Sequence, residues 1–244
     1  MKKIIPIPGE SSLETLKRWD GYYERPPGGP LVGYAGRDEQ GRQYVGMVYA
    51  NFAKGERHGG VLAHVVRALA GQFPDIKFSG DGFCGAPEGG KALAEVLAAY
   101  LGKGYIFPEK QVTALKTETS REKSKLVWGR HEPESGESWW IVEDVCNNFS
   151  TTNELIKLIE SSETHVAGVI CFLNRSLTIE EEYTTSTEHG LPLTLPVRTL
   201  IRKKIAEYCQ DDPAVAGDIA AKNIVWKPKN EWSRLREAMQ QGGA

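Results

Sequence analysis

Residues 138–160, SWWIVEDVCNNFSTTNELIKLIE, change character midway, and their reading decides the fold. Ser138 to Val142 form an apolar run, Glu143 and Asp144 interrupt it, and a short polar loop follows. From Glu154 onward the apolar residues Leu155, Ile156, Leu158 and Ile159 recur at helical spacing. A short apolar run bounded by polar residues suits a buried strand, and the later spacing is one face of a helix. The stretch therefore predicts strand, loop and helix, with two carboxylates where the strand ends.

Units of the same kind lie on either side. RQYVGMVYANF (42–52) is β-rich, HGGVLAHVVRALAGQF (58–73) has helical spacing, and IKFSGDGFCGAPEGG (76–90) predicts a short strand turning into a glycine-rich loop. KALAEVLAAYLG (91–102) predicts a helix, KGYIFPEK (103–110) a strand ended by Pro108, and HVAGVICFL (165–173) another buried strand. Strands alternating with helices imply βαβ units: an α/β fold with a mainly parallel twisted sheet flanked by helices. Residues 13–19 predict a short helix capped by Ser11 or Ser12, stopped by the breaker RPPGGP (25–30). Residues 110–137 are polar and charged, without an apolar period for a core helix, and predict a long loop of the kind that serves as a lid or stays disordered. Residues 191–215 predict a short strand and a helix, with Asp211 or Asp212 and Pro213 at a further helix start, and the tail ends in an amphipathic helix.

The chain has 244 residues, 40% hydrophobic and 25% charged, with a formal net charge of -2. We read one domain: an N-terminal segment 1–41, a core 42–173 and a C-terminal extension 174–244. A near-neutral balance gives no global basic field to draw the chain to nucleic acid or anionic lipid. Neither a membrane-spanning apolar run nor a secretory h-region stands out, so a cytoplasmic protein is expected. Cys84, Cys146, Cys171 and Cys209 never form a CxxC pair. That predicts reduced, mostly buried thiols rather than a zinc site or a disulfide framework.

Ligands of open parallel sheets sit beyond the carboxyl ends of the strands. Three loops are candidates: 80–90, the stretch after Phe107, and 145–152. In the last, Asn147, Asn148, Ser150, Thr151 and Thr152 open a helix, where backbone N–H groups and hydroxyls suit a phosphate. Glu143 and Asp144 beside it suit sugar hydroxyls or a magnesium ion carried by phosphates. The bland alternatives are a solvated acidic turn, ordinary turn glycines and a solvated charged loop; Cys84 and Cys146 suit packing better than nucleophilic attack, and Trp139 and Trp140 suit core or interface.

WWIVEDVCNNFSTTNELI resembles the phosphoribosyl-diphosphate (PRPP) signature of type I phosphoribosyltransferases: an apolar strand, two acids, two further residues and a small-residue loop into a helix. GRDEQGRQYVGM, SGDGFCGAP, ALAEVLAAYLG and GYIFPEK precede it in the order of the orotate phosphoribosyltransferase branch, and the resemblance covers residues 31–173. It implies a type I phosphoribosyltransferase fold with a hood from the N-terminal segment and possibly the C-terminal tail. The implied activity is Mg2+-dependent transfer of phosphoribosyl between PRPP and a nitrogenous base by a homodimer. Glu143 and Asp144 would bind the ribose hydroxyls, and Asn147, Asn148, Phe149, Ser150, Thr151 and Thr152 would cradle the 5-phosphate. Gly80, Asp81, Gly82, Phe83, Cys84 and Gly85 would form the diphosphate loop. Lys110 matches the lysine ending the family's strand before the mobile loop, and Lys116, Arg121, Lys123 and Lys125 would close over the diphosphate. The chain departs from the family at Asn147, Asn148 and Phe149, where two hydroxyls and a glycine are usual. It departs again at Tyr34, Cys84 and Glu109, where cations are usual, which turns the expectation from orotate toward a neutral base. A non-catalytic PRPP- or nucleotide-binding regulator on the same fold is the rival reading.

Overall fold

The computed structural model describes residues 11–114 and 123–242. In chain order its elements are α1 (Ser12–Arg18), β1 (Tyr22–Glu24), β2 (Leu31–Arg37), β3 (Gln43–Gly46), β4 (Val48–Ala50), α2 (Ala53–Glu56), α3 (Gly59–Gln72) and α4 (Asp75–Phe78). They continue as β5 (Gly82–Gly85), α5 (Lys91–Leu101), β6 (Gly104–Ile106), β7 (Pro108–Ala114), β8 (Lys123–Trp128), β9 (Ser138–Cys146) and α6 (Ser150–Glu160). The remainder are β10 (His165–Asn174), β11 (Glu182–Ser186), β12 (Pro192–Arg202), α7 (Ala216–Ala220), β13 (Ile224–Val225) and α8 (Trp232–Gln241). Among the described residues, one compact unit spans 58–203, apart from the undescribed 115–122; a second combines 11–57 with 204–242.

The first unit is built on a six-stranded sheet ordered β11-β12-β10-β9-β5-β6. Five strands run parallel, and β11 adds an antiparallel edge on β12. β9 is paired on both sides, by β5 and β10, and its Trp140, Ile141 and Val142 are almost wholly buried. Double-sided burial explains why its sequence is continuously apolar rather than alternating. On α6, Leu155, Ile156 and Ile159 form the buried stripe and join Trp139, Ile141, Val169 and Val197 in one cluster. Each such side chain contributes about 1.5–3 kcal/mol by leaving water, so three of them outweigh the weak intrinsic helicity of STTN. α5 buries Leu93, Ala94, Leu97 and Ala98 and ends at Gly102, whose φ of 67° is the left-handed helix stop that glycine adopts freely.

The structure revises four expectations. The strand expected at Ile76 is the helical turn α4, and the strand itself is β5, six residues later. β5 lacks β-branched residues: its glycines and the buried Phe83 and Cys84 suit a crowded interior position, which a propensity reading passes over. The long loop at 110–137 is in part a two-stranded antiparallel ribbon of β7 and β8, with Lys110 opposite Leu126; Leu126 and Trp128 lean on the core cluster. The helix expected after the short strand within 191–215 is absent. Instead β12 runs to Arg202, pairing Val197 with Val169 and Ile201 with Leu173, and residues 203–207 are irregular. The parallel sheet thus continues beyond Leu173. Pro196 is tolerated because it precedes the first β10–β12 pair, Val169 with Val197. Around 211–215 the acids make a turn, Asp212 Oδ1 accepting from Ala214 N–H at 2.9 Å, and the helix begins only at Ala216.

In the second unit the C-terminal β13 lies parallel to β2, placing Ile224 beside Leu31, and β3 completes the sheet. N- and C-terminal segments therefore fold together. Amphipathic α8 buries Trp232 and Leu235 against Tyr23, Val32, Tyr34 and Val225. Arg25 and Asp218 pair at 2.6 Å across this union. α1 is capped by Ser11, whose Oγ accepts from Glu14 N–H at 3.2 Å. Trp139 and Trp140 are core, as are Cys84, Cys146 and Cys171; Cys209 is half-buried, and all four thiols are free. No helix among the described residues is long and apolar enough to cross a membrane.

Candidate functional site

Strand pleating turns Glu143 and Asp144 to opposite sides of β9. Glu143 is buried, level with Cys171 on β10. Burial holds its carboxyl well above its ordinary pKa of 4.5, and the Asp144 charge beside it adds to the rise; the Lys110 ammonium opposes it. Asp144 is half-buried, and its Oδ1 accepts from Val145 N–H at 2.8 Å.

Two strand-to-helix loops end beside these carboxylates. Residues 86–90 leave β5 and enter α5. Ala86 N–H donates to the Val142 carbonyl at 2.9 Å, and Gly90 N–H donates to the Ala86 carbonyl at 2.9 Å. A Cβ on Gly89 would overlap the Asp144 carboxylate, and one on Gly90 would overlap the Val142 carbonyl. Only glycine lets the backbone come that close. Lys91 then opens α5, its ammonium 3.7 Å from a Glu88 carboxylate oxygen and 4.8 Å from the centre of the Phe107 ring.

The second loop, 147–149, leaves β9 and enters α6. Phe149 has φ 57° and ψ 24°, a left-handed conformation rare for a bulky residue. Its ring is buried in the core cluster and stacks on Tyr183, centroids 4.8 Å apart at 30°. The left-handed backbone costs about 1–2 kcal/mol. Burying the ring gains about 1.5–3 kcal/mol, and an aromatic pair adds about 0.5–1.5 kcal/mol. Burial wins, and the loop keeps a glycine-like conformation without glycine. Asn148 Oδ1 accepts from Ser150 N–H at 3.1 Å, while Asn148 and Ser150 are exposed and Thr152 is buried.

Several predicted residues lie elsewhere. Gly80 and Asp81 sit at the amino ends of the strands: Asp81 N–H donates to the Ser138 carbonyl at 2.6 Å, its Oδ2 accepts from Ser138 N–H at 2.8 Å, and Lys103 donates to the Ser79 and Gly80 carbonyls. At about 3.3 Å per residue, Ser138 is roughly 16 Å along β9 from Glu143. Gly82, Phe83, Cys84 and Gly85 form buried β5 rather than a loop, and burial pushes the Cys84 thiol far up. The expectation of a loop at 80–85 is thus corrected for 82–85, and the loop that follows the strand is 86–90. The signal was present as Gly89-Gly90 immediately before a helical apolar period. Cys146 is likewise held protonated, by its hydrogen bond with Cys171 and by burial. Tyr34 commits its hydroxyl to the Val48 carbonyl at 2.6 Å. Lys110, Glu109 and Lys125 are exposed on the ribbon, Lys123 begins β8, and Lys116 and Arg121 lie outside the described residues. Lys91 and Tyr183 were not anticipated.

No family model matches the sequence, and comparison with curated proteins gives no match. Solved structures do match. The orotate phosphoribosyltransferase of Aeropyrum pernix aligns with a TM-score of 0.50 at 17% identity, over 78% of this chain and 92% of its own. The adenine phosphoribosyltransferase of Rhodothermus marinus gives 0.50 at 20% identity, over 78% and 98%. The UMP synthase of Leishmania donovani gives 0.53 at 11% identity over 94% of this chain, which spans 42% of that longer protein. A parallel sheet with two acids at the end of β9, a small-residue loop into α6 and matching orotate and adenine enzymes leads to one conclusion: the chain has the type I phosphoribosyltransferase fold.

Proposed function

We propose that the protein transfers the 5-phosphoribosyl group between PRPP and a nitrogenous base, with diphosphate as co-product. The observation that carries this reading is the convergence of the 86–90 loop, the Glu143-Asp144 pair and the 147–149 loop at one edge of one sheet. Asp144 accepts from a ribose hydroxyl, and the N–H groups opening α6, with Ser150 and Thr151, hold the 5-phosphate. The backbone of 86–90 and the Lys91 ammonium meet the diphosphate.

Transfer places positive charge on the ribose ring and negative charge on the departing diphosphate, so positioned charges lower the barrier without a protein nucleophile. The Asp144 carboxylate faces the ribose. Burial and the Asp144 charge raise the Glu143 carboxyl, which favours its proton and with it a hydrogen bond donated to a hydroxyl. Among the described residues no group of three His, Cys, Asp or Glu side chains is placed to hold a metal. The donor set fits an ion that arrives with PRPP and uses Asp144 as a protein ligand. Mg2+ bound in that way would neutralise the diphosphate.

A second reading, binding without transfer, draws on Asn148, whose side chain occupies the Ser150 N–H that a phosphate would use. Diphosphate release separates the two. The protein is incubated with PRPP, Mg2+ and each of a panel of neutral purines and pyrimidines and orotate. Release dependent on one base supports transfer. PRPP binding with no release from any base would favour the regulator, and no binding would reject both.

A further inference from the structure

Strand β11 reaches α6 at three places. Its Tyr183 stacks on Phe149, its Thr185 hydroxyl donates to Asn153 Oδ1 at 2.8 Å, and just beyond it Glu188 N–H donates to a Glu160 carboxylate oxygen at 3.1 Å. These contacts run from the first residue before α6 to its last turn. The hairpin is anchored in the sheet by five antiparallel pairs between β11 and β12, and Thr187 closes its turn by accepting from Leu191 N–H at 3.0 Å. Phe149 is the residue that sets the direction of the N–H groups opening α6, since its carbonyl accepts the helix's first bond, from Asn153 at 2.8 Å. Its left-handed conformation is rare for a bulky residue and needs support from its surroundings.

We infer that Tyr183 and Phe149 are positioning residues: the β11 hairpin clamps the Phe149 ring and so locks the loop in its phosphate-accepting shape. The inference rests on the functional reading above and adds a determinant outside the acidic motif and its loop. Neither ring touches ligand. Tyr183 acts through Phe149, and Phe149 acts through the backbone on either side of it.

The test measures two ligands that address different loops, ribose 5-phosphate for 147–152 and Mg2+-diphosphate for 86–91, by titration calorimetry on the full chain. Tyr183→Ala is expected to weaken ribose 5-phosphate about tenfold, the scale of one lost aromatic pair, with diphosphate changed less than about twofold. Tyr183→Phe keeps the stack and should restore wild-type affinity. Phe149→Gly should bind ribose 5-phosphate about fivefold more tightly than Phe149→Ala, because glycine takes the left-handed conformation without the penalty a Cβ brings. Were Phe149 merely core filler, the two variants would bind ribose 5-phosphate alike. Should the Phe149 variants not fold, the Tyr183 pair decides. Unchanged ribose 5-phosphate affinity in Tyr183→Ala overturns the inference while leaving the functional reading intact, as does equal loss of both ligands, which would mark a general defect. A wild-type protein that binds neither ligand overturns the functional reading itself, and the clamp with it.

Discussion

The loops after β5 and β9 leave neighbouring strands of one sheet and end in helices of equal length, yet they hold their shapes by opposite means. Residues 86–90 depend on missing side chains, with Gly89 and Gly90 pressed on the Asp144 carboxylate and the Val142 carbonyl. Residues 147–149 depend on a side chain that is present and buried, with the Phe149 ring fastening a backbone that glycine would leave free. Absence gives close approach; burial gives rigidity. The difference teaches that a departure from a familiar motif is to be judged by where the new side chain goes. A ring that turns into the core leaves the loop open to a ligand.

Substitutions can break each half of this comparison. Phe149→Ala should cost the most, about 3–4 kcal/mol of stability, as truncation of a buried phenylalanine commonly does, read by urea denaturation. A loss under about 1 kcal/mol would mean that the ring fastens nothing. Asp144→Asn, at the meeting point of the two loops, should lower phosphoribosyl transfer at least about a hundredfold while the chain stays folded. Unaltered turnover would place the chemistry elsewhere. Gly89→Ala should cost about 1–3 kcal/mol by overpacking against Asp144 and weaken diphosphate more than ribose 5-phosphate, the reverse of the Tyr183 pattern.

The mildest probe is Glu143→Gln. A carboxyl whose pKa is raised in the folded state keeps its proton there after the unfolded chain has lost it. The unfolded state then binds fewer protons, and stability falls as pH rises from the ordinary value of 4.5 toward the raised one. Wild type should therefore lose stability relative to Glu143→Gln across that window, with the two converging below it. Parallel curves in denaturation at a series of pH values would show that Glu143 ionises freely.

Residues 138–160 were legible because their signals are local and agree: an unbroken apolar run means a strand covered on both faces, and Leu155, Ile156 and Ile159 define a helix face. The short helix at 13–19 and the C-terminal helix were legible for the same reason. β5 was not, since GFCG has two glycines and no β-branched residue and is held by its neighbours β6 and β9. Reading Gly82–Gly85 as loop put the candidate loop on the strand itself, ahead of residues 86–90, which follow it. The helix expected within 191–215 failed because RTLIRKKIAEY has helical composition, whereas pairing with β10 is a tertiary decision. Phe149 and Tyr183 lie 34 residues apart in sequence, and nothing local in either announces the other.

The central claim is that the edge formed by these two loops holds PRPP, and thermal unfolding with PRPP and Mg2+ tests it most directly. Ligand at about 100 times its dissociation constant should add about 2.7 kcal/mol to the folded state, a rise of roughly 5–10 °C in midpoint for a chain of this size. Asp144→Asn should shrink that rise and Tyr183→Ala should shrink it less. A midpoint that PRPP and Mg2+ leave unmoved at every concentration would contradict the account.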